Sequence, residues 1–180
     1  MLARNETIFK WALYAAAAFA CLLIQWAVLQ RFTIWGVIPF LYPAVAAVPA
    51  TFEGPAAGSA FALGMGVVCD LILPGSDCFY TLVFPLAGLC AGLLSRSVLR
   101  SSMLCALVST AAAFALTGFG GCLELWLHGQ SAWQAGAYLT LREFCVTAPP
   151  ALLLSPLFRA VYQRTHRDER AAEQRRFYGP

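Results

Sequence analysis

The sequence predicts an all-α, polytopic membrane protein of about six transmembrane helices, and three observations predict it. Hydrophobic residues make up 60% of the 180-residue chain and charged residues only 12%; a soluble domain carries about 25% charged residues. Mean hydropathy is +0.69. The chain also divides into apolar runs close to the roughly 20 residues a helix needs to span a bilayer. One membrane domain over residues 1–162 and a polar, basic tail over 163–180 follow from where these runs end.

The first run, Trp11–Leu29, follows Arg4 and Lys10 and is too long for the apolar core of a cleaved signal. It reads as a retained span. The second, Ile34–Ala50, carries Pro39, Pro43 and Pro49, so a kinked or re-entrant segment is the alternative to a straight helix. Such prolines are tolerated where neighbouring helices satisfy the freed carbonyls. The third span is Pro55–Leu73, closed by a Pro74-Gly75 turn. Ser76 or Asp77 then caps the fourth, Cys78–Leu94. A fifth covers Met103–Leu127, an amphipathic connection runs from His128 to Glu143, and a sixth spans Phe144–Tyr162. The tail after Tyr162 is expected to form a short helix at anionic headgroups.

Charge supports an even number of spans. Arg4, Lys10, Arg96, Arg100, Arg159, Arg164, Arg167, Arg170, Arg175 and Arg176 then share one side, and only Arg31 and Arg142 lie opposite. The positive-inside rule places both termini in the cytoplasm.

Gly54, Gly58, Ala62, Gly66 and Asp70 recur every fourth residue along the third span. Small residues at that spacing let a second helix approach backbone to backbone inside a membrane. Gly88 and Gly92 repeat the pattern in the fourth span. These faces serve either internal packing or a partner helix, and the sequence leaves both open.

Asp70 and Glu124 fall near the ends of the two spans that run outward. A carboxylate there opposes the helix macrodipole and needs a donor. Arg31 and Arg142 are the guanidinium groups on that side, so Asp70, Glu124, Arg31 and Arg142 are expected to form a polar cluster. The plainer alternative is that Asp70 simply reaches water at the interface.

Catalytic motifs are absent: there is no H-E-x-x-H, G-x-S-x-G or P-loop. The chain therefore reads as non-enzymatic. Seven cysteines lack any C-x-x-C, and His128 and His166 have no ligand partners at a metal-site spacing. No metal and no cofactor is expected. The basic residues form a topology bias and a tail, with no patch suited to nucleic acid.

A glycine-spaced helix ending G-x-x-x-D-L, a glycine-bearing turn and a helix with L-x-G-x-x-x-G together resemble the rod shape-determining MreD family. Here those positions are Gly58, Gly64, Gly66, Asp70, Leu71, Gly75, Leu86, Gly88 and Gly92, within Glu53–Ser95. The resemblance implies a non-enzymatic scaffold of the cell-elongation machinery in the bacterial cytoplasmic membrane, supporting lateral peptidoglycan synthesis. It implies as partners an MreC-like bitopic protein, the actin-like MreB, a RodA-like glycosyltransferase and a class B penicillin-binding protein, besides membrane lipid. It also implies that the glycine face receives the MreC-like membrane helix while the polar cluster fixes its register. Such chains are similar in overall fold to the substrate-binding S-components of energy-coupling-factor vitamin importers. An S-component is therefore the second expectation, with Ala12, Ala16 and Ala20 as a helix-docking stripe.

Overall fold

Apolar runs without polar interruption leave the backbone no solvent partner in a bilayer, so each must bond to itself as a helix. The computed structural model describes residues 2–73, 78–97, 103–127, 129 and 133–178. It contains α1 (Leu2–Ala27), a 3-10 turn (Leu29–Arg31), α2 (Tyr42–Glu53), α3 (Pro55–Ile72), α4 (Phe79–Ser97), α5 (Met103–Leu127) and α6 (Trp133–Tyr178). Among the described residues, five of the six α-helices, all but α2, are long and apolar enough to cross a membrane. The architecture is that of an all-helical, polytopic membrane protein. The expected Pro74-Gly75 turn, the Ser76 or Asp77 cap, Arg100 and His128 lie outside the described residues, as do the side chains of Glu124 and of 166–178.

Successive helices alternate in direction. Gln25 of α1 bonds Pro39 and Leu41 ahead of α2, whereas Lys10 and Tyr14 of α1 meet Glu53 at the far end of α2. In α3 and α4, Gly66 lies against Tyr80 and Gly92 against Pro55. α5 brings Gly118 to Thr140 and Gly120 to Phe79. α6 passes Thr147 at Phe40 and returns Phe158 to Tyr14 and Tyr162 to Phe52. The bundle thus has an Asp70 end and a Glu53 end, and Lys10 and Phe158 both lie at the latter.

The second expected span differs from what the sequence suggested. α2 has 12 residues, roughly 18 Å at helical rise, against a hydrocarbon core of about 30 Å. Every residue from Tyr42 to Thr51 is buried, and α2 packs on α1, α3, α4, α5 and α6. Ala44, Ala46, Ala47 and Ala50 are fully buried, because only small side chains let neighbours close around a helix on all sides. Pro43 sits in the first turn, where its missing N–H costs nothing, and Pro49 lies inside the helix.

Residues 32–41, ahead of α2, contain no helix. Trp35 and Gly36 adopt φ of 55° and 76°, and Ile34 and Val37 exchange both backbone bonds across them at 2.9 and 3.0 Å. Two left-handed residues inside such a bridge make a type I′ turn. Non-helical backbone at membrane depth needs protein partners. Gln25 supplies two, donating to the Pro39 carbonyl at 2.7 Å and accepting from the Leu41 N–H at 2.9 Å. Thr147 accepts a third, from the Phe40 N–H at 3.0 Å.

Two further boundaries differ. The connection before the sixth span is itself helical from Trp133. No break separates that span from the tail either: α6 continues 46 residues to Tyr178 through Pro149, Pro150 and Pro156.

Candidate functional site

The glycine-spaced positions converge on one internal seam. A Cβ on Gly66 would meet the Tyr80 carbonyl carbon at 2.8 Å and Thr81 Cα at 2.9 Å. One on Gly88 would meet Ala62 Cβ at 2.8 Å and the Gly58 oxygen at 2.9 Å. On Gly92 it would strike Pro55 Cα at 2.5 Å, and on Gly58 Ala50 Cα at 2.5 Å. Gly54, at φ 89°, turns α2 into α3 and faces the Arg96 guanidinium. Gly54, Gly58, Ala62, Gly66, Gly88 and Gly92 therefore join α3 to α4 and α2. The expectation that this face receives another protein's helix is corrected on steric grounds: this chain's own helices fill it at backbone distance. Gly64, by contrast, points away, with nothing within 4 Å.

Asp70 holds the other end of the same hairpin. Its carboxylate accepts from the Tyr80 N–H at 3.1 Å, the Thr81 N–H at 2.7 Å and the Thr81 hydroxyl at 2.5 Å. Tyr80 and Thr81 belong to the first turn of α4, whose N–H groups have no intrahelical acceptor. The charge that opposes the dipole of α3 is thus held at the positive end of α4. This is a capping carboxylate supplied from a neighbouring helix.

The expected arginine partners lie elsewhere. Arg142 donates to the Trp35 carbonyl and sits 5.4 Å from the Tyr138 ring centroid. Arg31 is exposed in the 3-10 turn.

A second carboxylate, not among the residues expected from the sequence, is held at the opposite end. Glu53 lies 2.6 Å from Lys10 Nζ, with the side chains 8% and 13% exposed. The Tyr14 hydroxyl donates to it at 2.9 Å. The sequence signal is an acid directly ahead of Gly54-Pro55 between two apolar helices; its partners, about 40 residues away, leave no local trace.

Two adjoining cavities occupy the Asp70 end. One, about 500 Å³, opens between the α3–α4 junction, α5 and α6; the other, about 480 Å³, lies beneath residues 36–40. They share Phe40, Leu73, Leu139 and Glu143. Among the described residues no group of three or more His, Cys, Asp or Glu could hold a metal ion. None of the seven cysteines is in a disulfide, and Cys21, Cys69, Cys105 and Cys122 are buried as small side chains.

The fold and the clamped hairpin define a class, a polytopic helical membrane protein. Compared with protein families, curated proteins and solved structures, the chain matches none.

Proposed function

We infer that this chain is a non-enzymatic membrane scaffold of the bacterial cell-elongation machinery, of the MreD kind, supporting lateral peptidoglycan synthesis. The observation that carries the reading is the α3–α4 hairpin. Residues that carry the family resemblance, Gly58, Gly66, Asp70, Gly88 and Gly92, act there as one clamp. A closely packed hairpin with no reactive constellation among its described residues suits a protein that positions others. On this reading the Glu53 end, with Lys10, Arg96 and the α6 tail, faces the cytoplasm, in keeping with the positive-inside rule. The partners are an MreC-like bitopic protein, a RodA-like glycosyltransferase, a class B penicillin-binding protein and MreB. Because the glycine seam is filled, partner helices bind the outward surface of the bundle instead.

A second reading, an importer S-component, draws on the two cavities at the Asp70 end. Copurification of the tagged chain from its native membranes in mild detergent tests both. The scaffold reading predicts an MreC-like protein, a RodA-like glycosyltransferase or a transpeptidase in the eluate. A pair of ATPases with a coupling subunit, and none of those, contradicts it and establishes the importer.

A further inference from the structure

Glu143 is a carboxylate within an apolar helix, and such groups are costly enough to require a reason. It lies on α6 one turn before Thr147 and is half-buried. Among the described residues it has no hydrogen-bond or ion-pair partner. The adjacent Arg142 is directed to the Trp35 carbonyl and the Tyr138 ring instead. Glu143 faces both cavities, and it is the one charged side chain among their described lining residues.

The remaining walls narrow the chemistry. Phe40 lies between Tyr42 and Tyr80, with ring centroids 4.9 and 6.0 Å away, and Phe79 is 5.2 Å from Tyr80. All four rings line one cavity or the other. Aromatic faces attract a weakly hydrated organic cation. A divalent metal ion would want several oxygen ligands, and among the described lining residues Glu143 is the one carboxylate. An anion would be repelled, and a wholly apolar guest would leave the carboxylate desolvated and unpaired.

We propose that the adjoining cavities at the Asp70 end bind, where they meet, an organic ammonium group paired with Glu143 and packed against Phe40 and Tyr80. The inference goes beyond the scaffold reading and stands or falls on the cavity alone. The ammonium belongs either to a soluble amine or to an ethanolamine lipid headgroup, and the test distinguishes these sources.

The full chain is placed in nanodiscs of phosphatidylglycerol alone, and its thermal unfolding is followed by tryptophan fluorescence. Millimolar 2-phenylethylamine is expected to raise Tm saturably, while its neutral isostere 2-phenylethanol does not. Glu143→Gln should fold at least as well without ligand and bind the amine roughly tenfold or more weakly. Phe40→Leu should weaken binding while retaining the carboxylate. Phosphatidylethanolamine in the disc abolishes the response if the headgroup is the occupant, and leaves it intact if the ligand is a soluble amine. Equal shifts from amine and alcohol, no shift from the amine in phosphatidylglycerol discs, or an undiminished response in Glu143→Gln overturns the proposal.

Discussion

Asp70 carries a charge that opposes the dipole of its own helix and therefore needs donors from another element. Its place in the last turn of α3 dictates the need; the chain's return as α4 supplies Tyr80 and Thr81. Arginine is the donor the sequence offers, because nothing in the sequence shows that the next helix begins within reach. Asp70→Ala should lower stability in detergent by about 2 kcal/mol, and Asp70→Asn by less, since the amide oxygen still caps. Chemical unfolding of the purified variants measures both. The glycines divide in the same way. Gly92→Ala drives a methyl into the Pro55 backbone and should prevent close α3–α4 packing, whereas Gly64→Ala meets nothing within 4 Å and should be neutral or slightly stabilising in the same measurement. Periodicity placed Gly54, Gly58, Ala62 and Gly66 on one face, but whether that face was internal needed the fold.

At the level of elements, α3 and α5 follow from their apolar runs, because length and composition alone fix a spanning helix. α2 does not: a helix buried on every side has no polar face to give it periodicity. The backbone before it depends on Gln25 and Thr147, polar residues in apolar helices whose partners the sequence does not reveal. Gln25→Leu leaves the Pro39 carbonyl and Leu41 N–H unsatisfied. Faster amide exchange at residues 34–41, with α3 and α4 unchanged, is the expected outcome. At the other end, α1 is held by Lys10 and Tyr14 on Glu53. Glu53→Ala removes the carboxylate that faces the largely buried Lys10 and accepts from Tyr14, and should cost about 3 kcal/mol, the lower end of the range for breaking a buried pair. A Lys10→Met, Glu53→Gln double variant should recover much of that loss in a double-mutant cycle.

Over the whole molecule, two carboxylates join elements at opposite ends of the bundle, Glu53 holding α1 to the end of α2 and Asp70 holding the end of α3 to the start of α4, with α2 enclosed among its neighbours. Composition was enough to read the membrane class. The cavity at the Asp70 end was not legible, because it is assembled from α3, α4, α5, α6 and residues 36–40 together. If the proposed scaffold role holds, loss of the chain should show in the structure it helps to build. The measurement that tests this most directly is conditional depletion of the chain in its native host, with fluorescent labelling of new peptidoglycan. The scaffold account predicts that cells lose their elongated shape and lateral incorporation falls, with rescue by the native chain and failure of rescue by Gly92→Ala. Unchanged cell shape and unchanged lateral labelling after complete depletion would contradict it.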